Sequence, residues 1–395
     1  MPAFRSGFVC ILGRPNAGKS TLLNALVGEK IAIVTPKAQT TRNRIQGIIN
    51  VPARKSRPAA QVILIDTPGI HQPASALGRK MMVEVREALE GCQLILLIMD
   101  ASKKSEALDN HVLGLLQHSD TPVFLILNKV DRVTKSELLP LIDKLRTQFN
   151  FKEIIPISAL KSQGLDLLLQ KISEALPAGK PYFAQDELTD QPVRFLAAEI
   201  IREQVLLATG EEVPYAATVI VEQFEKCPRL TRIAATIYCE REGQKAILIG
   251  RGGQMLKKIG TRARLEIEKM LQTKVYLELF VKVRAGWRDS REFVEGLDWR
   301  RQLQSLTERD SERAIGPCVA LSRRRQLKSR GFHGGHLAAT FLVRSTDHRY
   351  RLVSVTIGCG DAKTPGDGKT RSGCRRASVG CGGRTANPGE RRQRS

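Results

Sequence analysis

Gly13-Arg14-Pro15-Asn16-Ala17-Gly18-Lys19-Ser20 carries two glycines, a lysine and a hydroxyl at a spacing that suits a polyphosphate. The segment follows an apolar run at 8–12 and opens the periodic stretch Thr21-Leu22-Leu23-Asn24-Ala25-Leu26, which places it between a strand and a helix. The glycines let backbone N–H groups turn toward phosphate oxygens. Lys19 reaches the β and γ phosphates, and the Ser20 hydroxyl ligates magnesium at a positively polarised helix start. Further along, Gln61-Val62-Ile63-Leu64-Ile65-Asp66-Thr67-Pro68-Gly69 reads as a buried strand that delivers Asp66 to its carboxyl end. A carboxylate there holds the magnesium through water while the Gly69 N–H faces a γ phosphate. A third apolar run, 123–127, leads into Asn128-Lys129-Val130-Asp131. The Asp131 carboxylate can accept hydrogen bonds from the N1 and N2 donors of guanine, a pair that adenine lacks, so GTP is preferred over ATP. After a short strand at 154–157 comes Ser158-Ala159-Leu160, with the Ala159 N–H directed at guanine O6.

These motifs need a mostly parallel sheet flanked by helices, an α/β fold that takes about 150 to 180 residues of the 395. A helix at 164–176, with Leu165, Leu168, Leu169, Ile172 and Leu176 recurring on one face, closes that domain. Pro177-Ala178-Gly179-Lys180-Pro181 breaks it as a linker. A second helix follows at 192–207, with Phe195, Ile200, Ile201 and Val205 as its buried stripe. Strand-like alternation then recurs at 217–224 and 231–240.

Next comes the loop Gly250-Arg251-Gly252-Gly253, a Gly-x-x-Gly pattern flanked by Ile247, Ile249, Leu256 and Ile259 at helical spacing. A sugar–phosphate backbone can approach such a loop closely, as in KH modules that clamp four nucleotides. Between residues 251 and 264 stand Arg251, Lys257, Lys258, Arg262 and Arg264, with no acidic residue. The whole chain has a net charge of +23. That total says little about this region: residues 181–310 hold 21 Lys and Arg against 20 Asp and Glu, and residues 311–395 hold 18 against 5. The local pattern, not the bulk charge, points to RNA.

Taken in order, the motifs resemble the Era family of ribosome-assembly GTPases. Residues 31–45, with the core Gln39-Thr40-Thr41-Arg42, look like that family's first switch. The resemblance implies that a threonine hydroxyl completes the magnesium shell only when the γ phosphate is present, Thr41 first and Thr40 second. It covers about residues 5–305 and includes Ile200-Ile201-Arg202-Glu203, the closing strand at 273–283 and Gly286-Trp287-Arg288. The fold it implies is a P-loop GTPase domain at 1–176, a linker at 177–184 and an α+β type II KH domain at 185–308. GTP and GDP are then substrate and product, with magnesium. Implied partners are the 3′ region of 16S ribosomal RNA, met by Ile249, Gly250, Arg251, Gly252, Gly253, Lys257, Lys258 and Arg262, and the 30S subunit. Trp299 and the charged residues after it are expected to finish a terminal helix.

Ile70 stands where a Ras-like enzyme carries the glutamine that orients the attacking water. Intrinsic hydrolysis is therefore expected to be slow and to rest on Lys19, Asn16 and Thr41, with a potassium ion held by the Asn16 side-chain oxygen as a further source of positive charge. A loop-stabilising role for Asn16 is the alternative. The longest apolar run is far short of the roughly 20 residues that span a bilayer, and the amino terminus leads straight into a strand, so a cytoplasmic protein is expected, working as a monomer by the family resemblance. A cell-cycle GTPase at the inner face of the membrane is the alternative reading, and a transfer-RNA modification enzyme a third. Cys10, Cys92, Cys227 and Cys239 lie in or beside apolar segments and are expected to pack as reduced thiols. Residues 309–395, rich in Gly, Arg and Ser, depart from the family pattern and are expected to be disordered. A basic RNA-binding arm, translated sequence without selected function, and a small cysteine-bound metal module are the readings open for them.

Overall fold

The computed structural model describes residues 3–300, apart from 55, 56, 71, 72, 104–107, 109, 118, 211 and 228, together with two strands at 338–344 and 350–356. The first module runs β1 (Arg5–Leu12), α1 (Lys19–Val27), β2 (Ile45–Val51), β3 (Ala60–Asp66), α2 (Ala76–Glu90), β4 (Leu94–Asp100), α3 (Asn110–Leu116), β5 (Val123–Asn128), α4 (Lys135–Arg146), β6 (Glu153–Pro156) and α5 (Leu165–Ala175). Its sheet has the order β2-β3-β1-β4-β5-β6, with β2 antiparallel to β3 and every other neighbour parallel. Helices cover both faces, which is why β5 is apolar at nearly every position rather than at alternate ones. Alternation shows instead in which core a side chain enters. Val9 and Ile11 join Leu22, Leu23, Leu168 and Ile172 under α1 and α5, whereas Cys10 and Leu12 join Met82, Val85 and Leu145 under α2 and α4.

Strand register brings the carboxyl ends level, pairing Ile11 with Asp66, Leu12 with Leu97 and Asp100 with Asn128. Loops leaving parallel strands at that edge meet in one crevice, the usual ligand position of an open α/β sheet.

The proline-rich segment after α5 is not a free spacer. Pro177 accepts from the Ser6 N–H at 3.1 Å, Leu188 accepts from the Ile48 N–H at 2.9 Å, and the Thr189 hydroxyl donates to Gln46 at 2.6 Å. Gln61, fully buried on β3, holds the middle of this strap: its oxygen accepts from the N–H groups of Tyr182 (2.7 Å) and Phe183 (3.0 Å), and its nitrogen donates to Phe183 O at 2.9 Å. Gln61→Ala leaves those backbone groups without partners. An expected cost of about 1–3 kcal/mol should appear as a lower melting temperature and faster proteolysis between 177 and 191. Unchanged cleavage there would refute the strap.

The second module contains α6 (Val193–Ala208), α7 (Val213–Ala216), β7 (Thr218–Lys226), β8 (Leu230–Cys239), α8 (Glu242–Ile249), α9 (Gln254–Leu271), β9 (Lys274–Val283) and α10 (Arg291–Gly296). β8 is central, antiparallel to β7 and parallel to β9. Ile201 and Val205 of α6 and Ile259, Ala263 and Ile267 of α9 share one core with Ile233 and Ile237 of β8. One flank of the glycine loop differs from the sequence reading. Ile247 is 50% exposed, and α8 turns Gln244 and Leu248 inward instead, one helical turn apart.

Trp299 is buried against Phe195, and the part of the expected terminal helix beyond residue 300 lies outside the described residues. Cys10, Cys92 and Cys239 are buried as expected, but Cys227 is exposed, because it lies in the turn after β7 rather than within a strand. In the expected disordered tail, β10 (Ala338–Arg344) and β11 (Tyr350–Thr356) form an antiparallel pair with Phe341 opposite Val353. The apolar runs at 341–343 and 352–355 are thus strand-forming, and the rest of 309–395 lies outside the described residues. Among the described residues no cluster of His, Cys, Asp and Glu suits a metal ion, and no helix is long and apolar enough to cross a membrane.

Candidate functional site

The phosphate loop begins where β1 ends. A Cβ at Gly13 would stand 2.4 Å from the Ile98 carbonyl oxygen, so the chain passes β4 only as glycine, and its φ of 152° suits that residue alone. The loop ends at the start of α1, where Lys19 is 6% exposed and its ammonium donates to Gly13 O and Arg14 O, both at 3.1 Å. Burial pulls the Lys19 pKa down to about 8, against the attraction of Asp66. A cation held at such cost, on neutral carbonyls, is placed for phosphate.

Three oxygens converge beside it. Ser20 donates to Asp66 Oδ2 at 2.6 Å, Thr41 donates to the same oxygen at 3.2 Å, and the two hydroxyls are 2.9 Å apart. Asp66 is fully buried. Burial raises its pKa, opposed by Lys19 and the two hydroxyls, and its second oxygen, Oδ1, has no hydrogen-bond partner. A hard carboxylate with two hydroxyls around one point is a donor set for magnesium, and the orphaned Oδ1 fits a cation as its missing partner. Thr40 is turned elsewhere, donating to Lys37 O at 2.7 Å and lying 2.8 Å from the Thr35 hydroxyl. Thr67 also faces away from the crevice and donates to Ile11 O at 2.7 Å. Pro68 connects it to Gly69, which sits under Pro15. Ile70 is buried in the core beneath α2, so its side chain does not face the phosphate loop.

The base-side residues gather at the ends of β5 and β6. Asn128 donates to Ala17 O at 2.9 Å and accepts from the Ala159 N–H at 2.9 Å, so the N–H expected to face guanine is held by Asn128 here. Lys129 reaches back to Asn16 O at 2.8 Å and to Asp100 at 2.6 Å. Asp100, at the end of β4, is a member that motif reading missed. Burial would raise its pKa, but the hydrogen bonds from Lys129 and Ser102 hold it below its usual value. Ser158 donates to Asp131 at 2.6 Å and lowers that carboxylate's pKa, which keeps it an acceptor. Val130 lies between Lys129 and Asp131 at a 3-10 turn, and Leu160 is largely exposed. Asp131→Asn should weaken GTP binding about 10²-fold or more, because two charge-assisted acceptor contacts become one acceptor and one clashing donor. The same change should improve binding of xanthosine triphosphate, whose C2 oxygen accepts from an amide. Competition with fluorescent GDP measures both, and unchanged preference would remove Asp131 from the base site.

In the second module, α8 stops at Gly250 and α9 starts after Gly253. Gly250 has φ 71° and ψ 176°, and a Cβ there would meet the Met255 Cβ at 2.7 Å. Arg251 is exposed, and Gly252 and Gly253 have open space where a side chain would stand. On α9, Ile259, Ala263 and Ile267 face the core, which leaves Lys257, Lys258 and Arg262 on the exposed face. Ile249 is half-buried beside them.

A family model described as a 50S ribosome-binding GTPase matches residues 8–129, and a KH domain model matches residues 212–288. GTPase Era of Ruminiclostridium cellulolyticum is 48% identical over 299 residues, 75% of this chain and 98% of its own length. GTPase Era of Geobacter metallireducens is 49% identical over 298 residues, with the same coverage. This chain belongs to the Era family of GTPases. A crystal structure of Era in complex with MgGDPNP and nucleotides 1506–1542 of 16S ribosomal RNA superposes with a TM-score of 0.69 at 41% identity, covering 74% of this chain and 98% of that one. The enzyme is a GTPase with a KH domain, and its Ser20, Thr41 and Asp66 oxygens form a donor set that fits magnesium.

The contacts joining the two modules of this Era-family chain are only partly legible in the sequence. Arg42, beside Thr41, is 5% exposed and donates to Ala217 O at 2.9 Å, Pro214 O at 3.2 Å and Tyr215 O at 3.3 Å, all in the KH module. It also lies over the Trp287 ring at 5.6 Å. Glu203 of α6 accepts from the Val34 N–H at 3.0 Å and from Lys30 at 2.6 Å, and Arg202 donates to Thr40 O. The helix after Asp66 is engaged as well: Leu77 and Met81 of α2 pack with Trp287 and Val294. Motif likeness marks Arg202, Glu203 and Trp287 without giving them a role, because their partners in the first module are more than 150 residues away along the chain.

Proposed function

We propose that this GTPase uses its nucleotide state to set how its KH module holds single-stranded RNA, with the 3′ region of 16S ribosomal RNA in the assembling 30S subunit as target. One observation carries the reading. Within two residues of the first switch, Thr41 bonds to Asp66 in the nucleotide crevice and Arg42 bonds to three carbonyls of the KH module. A change in what Thr41 holds therefore bears directly on the RNA module. The relative bound to MgGDPNP and 16S ribosomal RNA supports the same partner class.

In this reading Gly13 to Thr21 cradle the phosphates, Lys19 balances charge that develops on the transferred phosphoryl group, and Ser20, Thr41 and Asp66 hold magnesium. The ion neutralises phosphate charge when bound. Asn128, Lys129, Asp131 and Ser158 to Leu160 frame the guanine. Asn16, whose amide donates to Pro36 O at 2.9 Å, ties the phosphate loop to the switch, and a potassium ion on its side-chain oxygen belongs to the same reading. The nucleotide module spans 1–176, the RNA module 185–308, and the protein works in the cytoplasm as a monomer. An oligoribonucleotide with the 16S 3′ sequence tests this: its affinity should differ at least fivefold between GDPNP- and GDP-saturated protein. Equal affinity in the two states would sink the coupling, and no binding in either would sink the RNA assignment.

A further inference from the structure

A second cleft, partly open to solvent, lies between the modules on the other side of the first switch. Its wall carries Arg42, Lys80, Arg194 and Arg202 against one carboxylate, Glu199. Arg42 and Arg202 are 5% and 2% exposed. Arg202 is paired with Glu199 at 2.8 and 2.5 Å, so that carboxylate is already engaged. Among the described residues Arg42 has only neutral carbonyl acceptors. Each guanidinium keeps one buried nitrogen, Arg42 Nε and Arg202 Nη1, with no hydrogen-bond partner. Burial, then the Arg202 charge, push the Arg42 pKa down, with Glu199 opposing. Two neighbouring buried cations with one carboxylate between them, already taken by Arg202, is an arrangement that an anion relieves.

We propose that this cleft binds a small tetrahedral oxyanion of the phosphate class, which bridges Arg42 of the first switch to Arg202 of α6. A tetrahedral oxyanion offers acceptors in several directions, which suits guanidinium donors arriving from different elements. Inorganic phosphate is the occupant, because hydrolysis releases it in the crevice on the far side of Thr40 and Thr41, which line that crevice while Arg42 lines this cleft. A phosphate held by both modules stabilises their docked arrangement, and docking in turn strengthens its binding.

The test uses the full chain saturated with GDPNP and magnesium, so that the phosphate loop is filled, and titrates inorganic phosphate against chloride at constant ionic strength by calorimetry. Saturable uptake of one phosphate per chain is expected, weakened at least tenfold by Arg42→Gln and strengthened at least threefold by Glu199→Gln, which frees Arg202. No uptake above chloride overturns the proposal, as does uptake that Arg42→Gln leaves unchanged. Should Arg42→Gln fail to fold, Glu199→Gln decides alone, and equal or weaker uptake overturns the site. Repeating the titration with an oligoribonucleotide present separates the two phosphate sources: unchanged uptake supports a free anion, whereas displacement by RNA overturns that assignment.

Discussion

Lys19→Ala is expected to reduce single-turnover GTP hydrolysis by about 10²–10³-fold or more. The ammonium sits 3.1 Å from two loop carbonyls inside a cradle where it is 6% exposed, so its charge acts on phosphate through little water. Electrostatic groups preorganised in this way contribute on the order of 10²–10³ each to rate, and the cation also contributes to ground-state binding. With Ile70 buried in the core, no side chain at that position can compensate. Quenched-flow measurement with the protein in excess over GTP, at concentrations that bind all of it, separates the chemical step from affinity. A rate within tenfold of the parent would mean that catalysis does not run through this lysine.

The second large effect separates two glycines that look equivalent in the sequence. Gly250→Ala should destabilise the KH module, because φ 71° with ψ 176° is a glycine conformation and the new methyl meets Met255 at 2.7 Å. Strain of this kind costs about 1–3 kcal/mol before the contact is counted. Gly253→Asp is different. Its φ of 76° and ψ of 7° lie in the left-handed region that Asp tolerates, and nothing stands within 4 Å of the new Cβ. The melting temperature should therefore fall less than for Gly250→Ala, by the modest left-handed cost of a non-glycine residue, while RNA affinity falls at least tenfold, since the carboxylate would repel RNA phosphates drawn to the proposed contacts Lys257, Lys258 and Arg262. If Gly253→Asp binds RNA as tightly as the parent, the loop is not the RNA contact.

The Gln61 strap shows where sequence reading stops short. Two prolines and a glycine in five residues correctly mark the end of α5, but whether such a segment hangs free or lies along a sheet depends on which side chains face it. Gln61 sits in an apolar strand where its amide looks like an ordinary strand residue. Only the fold puts Tyr182 and Phe183 beside it. The displaced reading of Ile247 has the same origin: apolar residues stand at 247, 248 and 249, and the packing of α8 against its sheet selects 248.

The chemistry of both sites is written in short-range patterns: Gly13 to Ser20, Asp66 at a strand end, Asn128 to Asp131, and Gly250 to Gly253. Backbone conformation and side-chain type over four to eight residues suffice to make a phosphate cradle, a base edge or a nucleotide clamp, and the strand–helix periodicity around them sets the order of elements. Tertiary contacts settle which threonine meets Asp66, that Asp100 steadies Lys129, and that Arg42 reaches the second module. These depend on contacts between residues far apart in the chain, which burial and strand register select and no local pattern encodes.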